Sequence, residues 1–326
     1  MLDVNFCRIS LDRRESGAAI NFVSHAHTDH ISSARSGGVL ASDETAELLS
    51  AYGIRPKRFA PTPGWIKLLD SGHMLGSKQI FIRDYENGLD YVYTGDFQMQ
   101  RSAIAKPIEI RKADVVIIDS TYPRPEFKFD ERDEVESAME LWIKQKLEKG
   151  NVLFGSYPMG KAQELIAMIN SFGFTPLVTH RISEISEIHK HIGVKLEYAE
   201  TDGAWKEESS FIGIVETSKL SEAALFASHS SGRRVYTAVA TGFAKLYRMG
   251  TDVQFAMSDH ADFWQAVDYL NAAEPSLVLT YGHSQKEFAD NLSKVGFKAM
   301  PFELFGNASL ETIKARSKTM GGYYKR

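Results

Sequence analysis

The stretch Val23-Ser24-His25-Ala26-His27-Thr28-Asp29-His30 decides how the rest of the sequence is read. Three histidines and a carboxylate fall within six residues, directly after the apolar run Ala18-Ala19-Ile20-Asn21-Phe22-Val23. Such a run reads as a buried strand. A strand that ends in His-x-His-x-Asp-His aims imidazole and carboxylate groups at a shared point from one rigid element. Imidazoles with carboxylates suit zinc, and also manganese or iron, better than calcium or magnesium. His25 and His27 stand two apart in an extended segment and flank one ion. Asp29 and His30 are then free to face a neighbouring ion.

The chain around this stretch has the make-up of an ordinary globular protein. Its 326 residues are 43% hydrophobic and 25% charged, enough for one large domain or two of usual size. The formal net charge of -4 excludes a global basic field, so nucleic-acid binding has to rest on local patches. The lone cysteine, Cys7, cannot form an intramolecular disulfide, which fits a reducing compartment. Met1 to Phe6 lacks the basic and apolar regions of a signal peptide, and no apolar run approaches membrane-spanning length. The expectation is a cytoplasmic protein with no membrane contact.

Moving outward, the same event repeats: a β-rich run stops and a histidine or aspartate follows. Ile66 to Leu69 leads to Ser71-Gly72-His73, Tyr91 to Thr94 to Gly95-Asp96, and Asp114 to Ile118 to Asp119. Gln254 to Met257 leads to Ser258-Asp259-His260, and Ser276 to Thr280 to Tyr281-Gly282-His283. Strand ends are where open α/β sheets place their chemistry. From about Pro123 the pattern changes to alternating helix and strand, with helices expected over 133–149, 161–172 and 183–191. That alternation reads as parallel βαβ units. We therefore expect an α/β domain at 125–250, inserted into a domain built from 1–124 and 251–326.

His25, His27, Asp29, His30, His73, Asp96 and His283 supply about the number of ligands that two adjacent metals need. We assign His25, His27 and His73 to one ion, Asp29, His30 and His283 to the other, and Asp96 to the bridge. A metal pair of this kind generates hydroxide near neutral pH and clamps both sides of a displacement at phosphorus. His189 and His191, on an expected helix, are read as solvated.

Together, His-x-His-x-Asp-His, Ser-Gly-His73 and Thr-Gly-Asp96 resemble the metallo-β-lactamase superfamily. Asp119 after an apolar strand, Ser258-Asp259-His260-Ala261-Asp262, and the insertion between them resemble its β-CASP nuclease branch. Asp119-Ser120-Thr121-Tyr122-Pro123-Arg124, Gly160-Lys161-Ala162-Gln163-Glu164 and Ala240-Thr241-Gly242-Phe243 are similar to compact prokaryotic members. Those are described as mRNA 3′-end processing factors or as exonucleases associated with a DNA ligase. The resemblance implies an αββα sandwich with an inserted β-CASP domain, a phosphodiesterase activity, and a pair of zinc ions, with manganese as the alternative. It implies Asp29, Asp119 and His260 as catalytic residues, the last two assisting the leaving oxygen. The branch's last motif reads histidine-glycine, whereas tyrosine, Tyr281, stands at that place here, and Asp12 matches the first aspartate motif loosely.

Gly155-Ser156-Tyr157-Pro158-Met159-Gly160-Lys161 is nearly a phosphate-binding loop, but Ala162 stands where a metal-binding hydroxyl is required and Pro158 removes an N–H. What survives, Gly160 and Lys161 at a helix start, is a candidate for a nucleic-acid phosphate. Arg233-Arg234 and Arg55-Lys57-Arg58 are candidate backbone contacts, and Trp205, Tyr157 and Phe243 candidate stacking partners. The expected partner is single-stranded RNA or DNA, with RNA processing favoured and a homodimer through Leu310 to Arg326 as one option. A small-molecule metallo-hydrolase and a non-catalytic RNA-binding subunit are the rival readings.

Overall fold

A computed structural model describes residues 1–57, 62–201, 203, 205 and 209–305. Arg58 and the stretch Leu310 to Arg326 lie outside the described residues. The N-terminal hairpin β1 (Leu2–Val4) and β2 (Cys7–Leu11) is extended in parallel by β3 (Ile20–Phe22) and β4 (Val39–Leu40). A short helix, α1 (Asp43–Leu48), follows; the Ser42 hydroxyl accepts from the Thr45 N–H and caps it. The antiparallel strands β5 (Ile66–Asp70), β6 (Lys78–Asp84) and β7 (Leu89–Tyr93) begin a second sheet, and β8 (Val115–Asp119) joins β7 in parallel. Glu86-Asn87-Gly88 makes the turn between β6 and β7, as its residues dictate.

The chain then leaves this sheet for a third. Helix α2 (Arg132–Leu147) precedes β9 (Asn151–Ser156), α3 (Lys161–Ser171), β10 (Leu177–Val178), α4 (His180–His191) and β11 (Ala199–Glu200). Next come β12 (Ile212–Glu216), α5 (Leu220–Ser231), β13 (Val235–Ala240) and β14 (Val253–Phe255). The strand order is β11-β10-β12-β9-β13-β14, and every pairing is parallel. Because β14 belongs to this sheet, the sheet runs past residue 250. Helix α6 (Phe263–Ala273), β15 (Leu277–Tyr281), α7 (Gln285–Lys294) and β16 (Ala299–Pro301) return to the second sheet, where β15 pairs with β8.

Side-chain alternation explains the layers. Val115 and Ile117 of β8 face the first sheet, packing with Ile9, Ile20 and Phe22. Val116 and Ile118 face the other way, onto Phe263 and Leu270 of α6 and Phe288 of α7. With both faces covered, the strand reads as a continuous apolar run rather than an alternating one. Each such side chain contributes about 1.5–3 kcal/mol on burial. Among the described residues, no helix is long and apolar enough to cross a membrane.

Helix α4 corrects one expectation. His189 is fully buried, not solvated, whereas His191 is exposed. His189 stands four residues after Ile185 and seven after Ile182, on the helix's apolar face. Its Nδ1 meets the Ile185 carbonyl at 2.9 Å, and burial lowers its pKa to about 4.

Candidate metal centre

The C-terminal ends of strands from all three sheets open onto one cleft of about 780 Å³. It is lined after β3 by His27, Asp29 and His30, after β8 by Asp119 to Arg124, and after β9 by Tyr157 to Met159. After β13 it is lined by Thr241 to Phe243, after β14 by Ser258 to His260, and after β15 by Gly282 to Ser284. His73 and Asp96 lie in its floor. At Gly72 (φ +78°) a Cβ would sit 2.3 Å from the Gln98 carbonyl oxygen, so only glycine lets the backbone turn His73 inward.

The donor atoms converge. His27 Nδ1 lies 3.1 Å from His25 Nε2 and 3.1 Å from His73 Nε2. Asp96 Oδ2 is 3.5 Å from His25 Nε2, 3.8 Å from His73 Nε2 and 3.4 Å from His30 Nε2. Each ring's outer nitrogen has a partner. His25 Nδ1 meets Ser24 Oγ at 2.9 Å, His27 Nε2 the Met159 carbonyl at 3.2 Å, and His73 Nδ1 the Asp259 carbonyl at 2.8 Å. Such outer contacts select the tautomer that leaves the inner nitrogen free.

Asp12 orders the other side. It is fully buried in a left-handed conformation (φ +59°) and accepts from the Ser24 N–H at 2.6 Å and Ser24 Oγ at 2.7 Å. It also accepts from Tyr93 OH at 2.7 Å and meets His30 Nδ1 at 2.7 Å. His30 Nε2 therefore points at Asp96 and stands 3.5 Å from the largely exposed Asp29 carboxylate.

The electrostatics suit a cation. Burial, then the neighbouring imidazoles, holds His25 and His73 well below the ordinary histidine pKa, and burial lowers His27 to about 4. Neutral imidazoles are the ligating form. His30 differs: burial opposes its charge, but Asp96 and Asp12 outweigh that and hold it well above the ordinary histidine value, so it must give up a proton to ligate. Burial raises Asp96 to about 6, so an ion beside it would relieve the cost of its charge. His25, His27, His73 and Asp96 bring ligand atoms within 4.8 Å of one another, as do Asp96, Asp119 and His260. The donor set thus fits a divalent metal.

Beside it, His260 Nδ1 is 2.9 Å from Asp119 Oδ2, and His260 Nε2 faces Asp96 at 3.8 Å. Thr121 N–H and Oγ1 donate to the other Asp119 oxygen at 3.0 and 2.8 Å. Burial opposes charge on His260, but Asp96 and Asp119 outweigh it and raise the pKa to about 9.

Several expected residues sit elsewhere. His283 is exposed on the cleft rim and belongs to neither ligand group among the described residues. Strand β15 ends with the Tyr281 ring packed edge-on to Tyr93, and Gly282 (φ +113°) carries the chain outward. Lys161 is buried and ion-paired with Asp259 and Glu164, so its charge is already answered. The Gly160 N–H donates to Gln163 Oε1 at 2.8 Å. Arg233 and Arg234 precede β13 and lie at the end of that strand away from the cleft. Trp205 is core, stacked on Phe211, whereas Tyr157 and Phe243 do line the cleft and are exposed. Sequence reasoning missed the parts played by Ser24, Met159 and Gln98. Met159 acts through a backbone carbonyl, Gln98 through contacts to Ser258 and His260 far along the chain, and Ser24 through a buried hydroxyl set between Asp12 and His25.

No family model matches the chain. It is 30% identical to a protein named "Probable DNA ligase" from Opitutus terrae, over 86% of this chain and 28% of that one. It is 29% identical to "Transcription termination factor FttA" from Lokiarchaeum, over 38% of this chain and 21% of that one. The chain thus spans under a third of these relatives' length. A crystal structure of a protein of unknown function from Enterococcus faecalis V583 superposes with a TM-score of 0.55 at 13% identity, covering 84% of this chain and 78% of that one. A mixed α/β fold with buried imidazoles and a carboxylate gathered at strand ends defines a class of candidate metallo-hydrolases. Relatives such as these are metallo-β-lactamase superfamily proteins of its β-CASP nuclease branch, and this chain is similar to them.

Proposed function

We propose that this chain is a metal-dependent phosphodiesterase that cuts single-stranded nucleic acid. The carrying observation is the placement of the Asp119–His260 pair beside the His25, His27, His73 and Asp96 cluster in one cleft. Those four residues would hold one ion, and His30 with Asp29 would hold a second across Asp96. Zinc suits the imidazole-rich set best, with manganese next. Divalent ions held there would supply Lewis acidity and water activation near neutral pH. His260 does the proton work: Asp119 pins Nδ1, so Nε2 presents a proton toward the cleft for the leaving oxygen. Exposed Tyr157, Phe243 and Tyr247 on the cleft walls suit unpaired bases.

We read the αββα metallo-β-lactamase sandwich as residues 1–124 together with the chain from 256 onward, and the β-CASP insertion as 125–255, five residues longer than the sequence pattern placed it. The parallel pairing of β15 with β8, which brings the two ends of the chain into one sheet, supports this reading, as does the self-contained third sheet. A cytoplasmic site of action accords with such a substrate. RNA is the first substrate to test. A DNA exonuclease is the second reading, favoured by the alignment of 86% of the chain with a protein named as a ligase.

Purified protein loaded with zinc or manganese is incubated with end-labelled single-stranded RNA and DNA. Cleavage of at least one, lost in Asp119→Asn, supports the proposal. Intact substrates with metal confirmed bound would reject it. An ester substrate turned over fully by His260→Ala would move the reading to a small-molecule hydrolase.

A further inference from the structure

Two candidate ligands take their outer hydrogen-bond acceptors from segments that follow two different strands of the third sheet, β9 and β14, with β13 between them. His27 Nε2 meets the carbonyl of Met159, after β9, at 3.2 Å, and His73 Nδ1 meets that of Asp259, after β14, at 2.8 Å. Sequence distance separates these carbonyls, yet one contact ties them together. Lys161, two residues beyond Met159 at the start of α3, is ion-paired through Nζ with the Asp259 carboxylate. We propose that the Lys161–Asp259 pair is a clasp that fixes the Met159 and Asp259 carbonyls and so sets the metal affinity of the cluster. This inference rests on the metal-centre reading above.

The surroundings show why the clasp holds its geometry. Lys161 also reaches Glu164 at 3.3 Å, and Glu164 is ion-paired with Arg132 of α2 and accepts from Ser102 Oγ at 2.9 Å. The side chains are 7% exposed for Lys161, 11% for Asp259, 3% for Glu164 and 4% for Arg132, so water does little to screen them. Two cations face two anions, which lets the group stay charged in a dry site. On the other side, Gln98 Nε2 donates to the carbonyls of Ser258 and His260, each at 2.9 Å. The peptides flanking Asp259 are thereby held by Gln98 and its side chain by Lys161. The carbonyl between them is left a single direction, toward His73. At Gly160 (φ +81°) a Cβ would stand 3.2 Å from His27 Nε2, so the same loop lies directly against the other ligand. Lys161 and Asp259 are thus positioning residues: neither supplies an inner ligand atom in the cluster, and each holds a backbone that does the aiming.

The test uses the full chain and zinc alone as the probe, with affinity read by chelator competition and geometry by the visible bands of the cobalt-substituted protein. Lys161→Met with Asp259→Asn removes both charges together and leaves no buried ion unpaired. Losing an outer-sphere support of this kind typically costs 10–100-fold in metal affinity. We expect a loss in that range and a changed cobalt spectrum, with a cooperative melt retained. Asp259→Asn alone keeps the shape and an acceptor for Lys161, and serves if the double variant does not fold; its expected loss is roughly tenfold. Val135→Ala, on the buried face of α2, lowers stability and leaves zinc affinity unchanged. A folded double or single variant that binds zinc within about twofold of wild type overturns the clasp. Wild type that binds no zinc overturns the metal-centre reading itself, and with it the clasp.

Discussion

Replacing Asp12 by asparagine tests the order of the second ligand group. The side chain keeps its size in a fully buried site, so packing is conserved. The introduced amide can still accept the Ser24 N–H through its oxygen. The atom replaced is Oδ2, which now meets Ser24 Oγ, Tyr93 OH and His30 Nδ1. The hydroxyls can reverse and accept from the new amide. His30 cannot do so without moving its proton from Nδ1 to Nε2, the nitrogen that faces Asp96 at 3.4 Å. A protonated Nε2 is no ligand. Losing a hydrogen bond to a charged group costs about 1.5–3 kcal/mol, and the lost outer support predicts a roughly 10–100-fold weaker ion at His30. Those magnitudes agree, since a tenfold change is about 1.4 kcal/mol. The assay counts bound ions by mass spectrometry and measures both affinities by chelator competition. One ion should stay tight, at His25, His27 and His73, while the other weakens. Folded Asp12→Asn that holds two equivalents at wild-type affinity would refute the tautomer argument.

Three further outcomes follow from the geometry. Asp119→Asn should keep its bound metal and lower kcat about 10²–10⁴-fold, because only the orientation of His260 is lost; single-turnover rates with metal analysis check this, and an unchanged kcat would remove the pair from the chemistry. Phe243→Ala should raise KM for single strands with kcat little altered, by the about 1–3 kcal/mol of a stacked base; an unchanged KM assigns that wall to packing alone. His189, held at about pKa 4 by burial against 6.5 when free, binds its proton more readily in the unfolded chain. Its contribution is therefore present above pH 6.5 and is lost as the pH falls toward 4, by up to about 3 kcal/mol. Melts of His189→Leu between those pH values should show a flatter acid slope than wild type, and equal slopes would contradict the assignment.

Much of the site could be read locally. His25, His27 and His30 follow one strand, and Ser71-Gly72-His73 and Thr94-Gly95-Asp96 carry the same strand-then-ligand signal, because strand ends place side chains at one edge of a sheet. The burial of His189 was also within reach, since its spacing from Ile182 and Ile185 puts it on an apolar face. Asp12 stood out only weakly, because a single buried aspartate has no pattern around it.

Direction in space was a different matter. His283 and Tyr281 are two residues apart, yet Tyr281 packs inward on Tyr93 while the histidine lies exposed at the rim. Lys161 sits in a loop that looks built for phosphate, yet Asp259, almost a hundred positions away in the chain, claims its charge. Arg233 and Arg234 carry the right charge at the wrong end of β13. Residue chemistry and spacing travel with the chain itself, so they announce a metal-binding cluster and its β-rich setting. Which end of a strand faces the cleft, and which buried charge meets which, depends on contacts between segments that only folding brings together.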